Sequence, residues 1–309
     1  MIPSTVHTLP SKRYRWINVV HPGEVELQYL ERLFGFHPLD IKDCQPPVQR
    51  PKVVPRPNYL FAIFVFPCYN ELLKEIETKE IDFFISKDLV VTVNDGSLIE
   101  VKNFFELLEL NPELKETYFK QPIRFVAQIL DELFDSCFPL LHRISRDIDV
   151  LSTSVLRGYS RQTVHEILRL KNEIVAFRKT MQPHRDMLKR ILTMIPHYFK
   201  IGDFEAIAIN RLIDHTKEIW DHLETYHSAI DAVEDTHSTL ISFRLSEIMK
   251  TLTIFSVIIF SLTFIANIFI IPAVSIPIIG TKNDFWAIIG IMGFVTLLTL
   301  WFFKKKRYL

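Results

Sequence analysis

Two long runs without a charged side chain near the C-terminal end constrain this chain more than any other feature. Thr251 to Ile271 gives 21 such residues and Phe285 to Phe303 a further 19. At about 1.5 Å of rise per residue, a helix over the first run reaches roughly 31 Å, enough for the hydrocarbon core of a bilayer. One run alone reads equally as a buried core helix. Two in series, parted by the Pro-bearing stretch 272–284 and closed by Lys304, Lys305, Lys306 and Arg307, predict a transmembrane hairpin. That basic tail outweighs Lys282 and Asp284 in the connecting loop, so the positive-inside rule expects both termini in the cytosol and the loop outside. Met1 to Tyr14 lacks an apolar h-region, so no cleavable signal peptide is expected and insertion falls to the C-terminal segments.

Composition excludes several other classes. With 36 basic against 36 acidic side chains, the chain has no global attraction for phosphate, and no nucleic-acid partner is expected. Cys44, Cys68 and Cys137 form no Cys-x-x-Cys pair, which argues against a zinc ribbon, a redox pair or a disulfide framework. No Gly-rich phosphate loop, Gly-x-Ser-x-Gly elbow or His-Glu-x-x-His run occurs, so neither an enzyme nor a bound cofactor is expected.

The soluble part changes texture along its length. Residues 1–122 mix strands and helices, with β-rich runs at Trp16–Val20, Tyr59–Phe66, Ile81–Ser86 and Leu89–Val93, and predict an α/β or α+β cytosolic domain. Residues 123–200 carry Leu/Ile-periodic helical segments, a cytosolic hairpin in which Pro183 should kink or break a helix. A stalk helix over 203–271 then continues into the first membrane span (251–271), followed by the loop 272–284, the second span 285–303 and the tail 304–309. The fold class expected is therefore an α+β cytosolic domain, long helices and a C-terminal two-helix transmembrane hairpin.

The stalk carries two stripes. Ile209, Leu212, Thr216, Ile219, Leu223, Tyr226, Ile230, Val233, His237 and Leu240 alternate spacings of three and four, an apolar seam that needs a partner. A second stripe, Asp235, Thr239, Ser242, Ser246, Met249, Thr253, Ser256, Phe260, Thr263 and Asn267, draws a polar line from the cytosol into the bilayer. Polar groups facing lipid would lack partners, so the stripe should face other helices or water. Ser and Thr hydroxyls bonded back to their own helix are the competing account. Two spans cannot enclose a water path, whereas several copies around an axis can. Separately, His215, Glu218 and His222 share a helical face at i, i+3 and i+7, a spacing that suits transition-metal ligands or a solvated helix surface.

Several strings resemble the CorA-type divalent-cation channel family across nearly the whole chain. They include Trp16-Ile17-Asn18, His37-Pro38-Leu39, Asp43, Gln49-Arg50-Pro51-Lys52-Val53 with Tyr59, Leu170-Lys171-Asn172 and Phe177-Arg178-Lys179-Thr180. Asp214-His215-Thr216, Glu247 to Ile254, Leu262 to Ala266 and the terminal Phe302-Phe303-Lys304-Lys305-Lys306 continue the resemblance. It implies a funnel-shaped homopentamer in the cell (inner) membrane, multi-pass, with five long helices lining a pore and Lys304–Arg307 forming a basic collar. It further implies an Asp235 ring at the cytosolic end and a constriction at Met249 and Leu252, where apolar rings gate by dewetting.

The sequence also departs from that family. Its Gly-Met-Asn tripeptide is absent, and Ile270-Ile271-Pro272 stands at that place. Asn267, inside the missing motif on the polar stripe, is the candidate substitute filter; fixing helix packing by hydrogen bonds is its rival role. The family's regulatory divalent site between cytosolic domains aligns with Asn70 and Arg211, which puts that regulation in doubt. The reading is passive movement of a divalent cation, magnesium foremost with cobalt, nickel or zinc as alternatives, at altered selectivity. A non-conducting sensor or scaffold homologue and a proton-coupled zinc transporter are the other readings.

Overall fold

The structure, a computed structural model, describes residues 4–157, 161–199, 203–271 and 283–306. The outer loop up to Lys282, and Arg307 of the collar, lie outside the described residues. The chain opens with β1 (Val6–Pro10), β2 (Arg15–Val20), α1 (Glu24–Phe34), α2 (Pro38–Asp43), β3 (Lys52–Pro55), β4 (Leu60–Asn70), β5 (Glu75–Ile85) and β6 (Leu89–Asn94). Helices follow: α3 (Ile99–Leu110), α4 (Pro112–Tyr118), α5 (Pro122–Asp135), α6 (Cys137–Arg157), α7 (Arg161–Met181), α8 (His184–Tyr198), α9 (Asp203–Ile270) and α10 (Asp284–Lys305). The chain forms two compact units, Met1–Glu234 and Asp235–Leu309, and α9 contributes to both.

In the first unit six strands form one sheet in the order β1-β2-β6-β5-β4-β3, antiparallel except for the parallel pair β2 and β6. Successive side chains of a strand point to opposite faces. Ile17, Val19, Phe61, Ile63, Phe84, Val91 and Val93 accordingly share a core with Leu27 and Leu30 of α1 and Ile41 of α2. Trp16, Phe64 and Phe66 project to the other side, where Trp16 meets Phe104, Phe105 and Phe125, and Phe66 meets Phe134. Burial on both faces explains why β4 reads as an unbroken apolar run, Leu60 to Phe66, without alternation.

The Trp16-Ile17-Asn18 string now has a physical reason. Trp16 Nε1 donates to Thr92 Oγ1 (2.9 Å), whose hydroxyl donates to Asn18 Oδ1 (2.9 Å), and Asn94 Nδ2 donates to the same oxygen (3.0 Å). All four side chains are buried, so the network satisfies its own polar atoms and locks β2 to β6. The four expected strands correspond to β2, β4, β5 and β6; the sequence reading missed β1 and β3. Both are sheet edges of four or five residues ending in Pro10 or Pro55, positions where a missing N–H costs no ladder bond.

The expected break at Pro183 is present: α7 stops at Met181 and Pro183 becomes the N-cap of α8. At the end of α1, Gly35 takes a left-handed conformation (φ 64°) and its N–H donates to the Glu31 carbonyl at 3.0 Å. Along α9, Ile209, Leu212, Thr216, Ile219, Leu223, Ile230 and Val233 are all buried in the first unit. The seam therefore finds its partner inside the same chain. Ion pairs flank it, Lys171 of α7 with Asp231 (2.9 Å) and Glu234 (2.7 Å), and Arg178 of α7 with Glu224 (2.7 Å). In the second unit α9 and α10 each carry a stretch long and apolar enough to cross a membrane, and neither stretch is buried within the chain.

Candidate functional site

The α9–α10 pair sorts the residues of the first span by direction. On α9 the half-buried positions include Ile254, Ile258, Leu262, Ile265 and Phe269; on α10 Ile288, Ile291, Val295 and Thr299 are half-buried and Phe303 is buried. These half-buried positions form one row along each helix. At about 100° per residue, the line through Thr253, Phe260, Thr263 and Asn267 lies on the order of 170° away from the α9 row. Asp235, Thr239, Ser242, Ser246, Met249, Thr253, Phe260, Thr263 and Asn267 are all exposed, and Ser256 is half-buried. Leu252 is exposed as well, displaced about 60° round the helix from Met249.

The hydroxyls of this stripe are not stranded. Thr239, Ser242, Thr253 and Thr263 donate to the carbonyls of Asp235 (2.9 Å), Ser238 (3.0 Å), Met249 (2.7 Å) and Ile259 (2.8 Å). Thr253 and Thr263 lie within the first span, and the expectation that hydroxyls there would lack partners in lipid is corrected for these two, since each uses the carbonyl one turn back on its own helix. Asn267 is different: among the described residues its exposed amide has no hydrogen-bond partner. Two donors and an oxygen acceptor thus remain on the face opposite the half-buried row of α9. Lys304, Lys305 and Lys306 at the end of α10 are exposed, with Lys305 Nζ 5.1 Å from the Trp301 ring centroid.

In the first unit, His215, Glu218 and His222 do not gather into one ligand set. Positions seven apart on a helix are separated by about 10 Å along its axis, too far to share an ion without a residue from elsewhere. His215 instead turns toward α5, its Nδ1 3.6 Å from Asp131 Oδ1 and 3.7 Å from Asp135 Oδ1, with Phe138 edge-on at 6.2 Å. Glu218 stays exposed, and the His222 ring lies 5.9 Å from Tyr226. Asp131, Asp135 and His215 each offer one ligand atom within 4.8 Å of the others, a set that could hold a divalent cation. Arg211 reaches Asp131 Oδ2 at 3.3 Å and supplies positive charge there already. Burial, and then Asp135 beside it, raise the Asp131 carboxyl above its ordinary range against the pull of Arg211 and His215. The sequence reading missed Asp131 and Asp135; their i, i+4 spacing was visible, but their meeting with α9 is a tertiary fact.

Asn70 is likewise committed within the chain. Its Nδ2 donates to Glu77 Oε1 (2.6 Å), and its Oδ1 accepts from the backbone N–H groups of Leu72 (3.0 Å) and Leu73 (3.2 Å), closing the β4–β5 turn.

Comparison with known proteins joins these observations. The family model described as CorA-like Mg2+ transporter protein matches residues 11–305. The cobalt/magnesium transport protein CorA of Thermotoga maritima is 29% identical, the match spanning 95% of this chain and 83% of that protein. The putative metal ion transporter YfjQ of Bacillus subtilis is also 29% identical, over 96% of this chain and 90% of its own. The complete structure of the CorA magnesium transporter from Methanocaldococcus jannaschii superposes with a TM-score of 0.84 at 19% identity, covering 97% of this chain and 93% of that one.

Proposed function

The chain belongs to the CorA-like Mg2+ transporter family, and from that premise we propose that it assembles as a homopentamer in the cell membrane and conducts a divalent cation passively along the shared axis. One observation carries this reading: the polar stripe of α9 lies opposite that helix's half-buried row, and all of it except the half-buried Ser256 is exposed in the single chain. Five copies turning that face inward would cover it and make rings of Thr253, Ser256, Phe260, Thr263 and Asn267. Hydrated magnesium dehydrates reluctantly, so a ring of Asn267 amide oxygens would meet the ion's water shell. Met249 and Leu252 would gate by dewetting nearer the cytosol, with Asp235 drawing cations at the inner end and Lys304–Lys306 forming the collar. Both termini are cytosolic in this arrangement. With no Gly-Met-Asn tripeptide in the sequence, selectivity would shift from the family's usual preference toward whatever the Asn267 ring admits.

A second reading, a non-conducting homologue that keeps the architecture as a sensor or scaffold, draws support from the hydroxyls of Thr253 and Thr263. Both are satisfied on their own helix and need no water. Flux of magnesium, cobalt and zinc into liposomes holding the purified protein separates the two. Conduction predicts flux that falls or changes its ion order in Asn267→Ala and Asn267→Leu. A well-formed oligomer that passes none of these ions contradicts it.

A further inference from the structure

A cavity of about 580 Å³ opens in the first unit, where the parallel strands β2 and β6 end side by side with Val20 opposite Asn94. Crevices beyond the carboxyl ends of parallel strands are recurrent ligand sites, because the departing loops leave space there. The walls are mostly apolar, formed by Pro22, Pro46, Pro47 and Val48, and two carboxyl groups of β5, Glu80 and Asp82, also line it. A volume of roughly 300–1,000 Å³ with apolar walls and a few converging polar groups suits a small organic molecule.

Asp82 is the residue that fold stability alone does not explain. It is 2% exposed, sits between Ile63 of β4 and Val93 of β6, and precedes the core residue Phe84 by one side-chain repeat. Its Oδ1 is buried and has no hydrogen-bond partner among the described residues. Such an orphan oxygen costs stability that an apolar side chain at the same position would not. Burial, and then the neighbouring Glu80, hold the Asp82 carboxyl well above its usual range, and burial also raises Glu80. Glu80 is two residues from Asp82 on β5, and the backbone N–H of Gln49 donates to Glu80 Oε2. Two carboxyl groups therefore line one cavity, and one of their oxygens, Asp82 Oδ1, is an acceptor without a partner among the described residues.

We propose that this cavity binds a small organic ammonium ion, its N–H groups received by Asp82 Oδ1 and Glu80 and its apolar body lying against the proline walls. An ammonium group brings three donors and no acceptor, which matches a site lined by two carboxyl groups with an orphan acceptor oxygen. A bare divalent cation fits less well, because it wants six or more hard oxygen ligands and the walls are largely carbon. Asp95 at the rim is already engaged by Ser97 (3.0 Å from the backbone N–H) and by Lys79 (3.6 Å). This site is independent of the ion path in α9.

The test uses the full-length protein in detergent and two fluorinated probes, 4-fluorobenzylammonium and its neutral counterpart 4-fluorobenzyl alcohol, followed by fluorine NMR. The proposal expects saturable broadening of the ammonium resonance and none of the alcohol. It expects affinity to fall about tenfold or more in Glu80→Gln, the worth of one charge-assisted hydrogen bond, and in Val48→Trp, which fills the mouth without touching a carboxyl group. Both variants are checked for an unchanged melting profile, and Val48 is an exposed position that accommodates the larger ring. No broadening at about 10 mM ammonium probe, equal broadening of the alcohol, or unchanged affinity in correctly folded Glu80→Gln and Val48→Trp would overturn it.

Discussion

Asp40 is 1% exposed, and three hydrogen bonds from two residues converge on its carboxyl group. Arg56 donates through Nε to Oδ2 (2.8 Å) and through its terminal nitrogen to Oδ1, and Tyr59 donates to Oδ2 at 2.7 Å. The Tyr59 hydroxyl in turn accepts from the His37 N–H at 2.8 Å, and Tyr198 of α8 donates to the Arg56 carbonyl at 2.8 Å. Asp40→Ala leaves Arg56 and Tyr59 without their buried partner, and the expected loss is about 3–5 kcal/mol in denaturant unfolding of the soluble unit. His184, packed among Phe64, Phe66 and Phe134, is held by burial at a pKa of about 4. The unfolded chain takes up that proton below about 6.5 while the folded one refuses it, so stability falls as pH drops from roughly 6.5 to 4, by up to ~3 kcal/mol. His184→Leu should flatten that part of the stability–pH curve; an unchanged slope would remove His184 as its source. The sequence displayed the strings around His37, Gln49 and Tyr59 but not their cause, because Asp40, Arg56 and Tyr198 meet only once α2, the sheet and α8 are assembled.

At the scale of elements, α9 was the most legible part of the chain. A spacing of three and four is a direct image of one helical face, and the row from Ile209 to Val233 is buried except for the half-buried Tyr226. Leu223→Ala in the middle of that row should cost about 2–5 kcal/mol through the cavity it leaves, read as a lower midpoint in thermal unfolding. A change below about 1 kcal/mol would mean that α9 is not fixed to the first unit by this seam. The edge strands β1 and β3 were not legible, since short, Pro-ended segments carry little period-2 signal. Of the metal-ligand candidates His215, Glu218 and His222, only His215 lies in a group that could hold an ion: a face pattern states which side a residue is on, and the neighbours of His215 are Asp131 and Asp135 of another helix.

At the scale of the whole molecule, sequence alone indicated the two spans and the stripe because hydrocarbon imposes its demands locally, residue by residue. What a single chain cannot display is the covering of the exposed α9 face, which in the proposed pentamer falls to the other copies. The stripe's exposure and its position opposite the half-buried row of α9 are the geometry from which the ion-path account proceeds. Cysteine accessibility during flux reads that geometry most directly. Cys44 and Cys137 are buried and Cys68 is half-buried, so a Cys68→Ser background isolates the introduced thiols. Single Thr253→Cys, Phe260→Cys, Thr263→Cys and Asn267→Cys variants are compared with Phe255→Cys, Ile258→Cys and Leu262→Cys, each treated with a charged thiosulfonate while divalent flux is recorded. The account expects block in the first group and none in the second; equal block in both groups, or flux that persists untouched in the first, would contradict it.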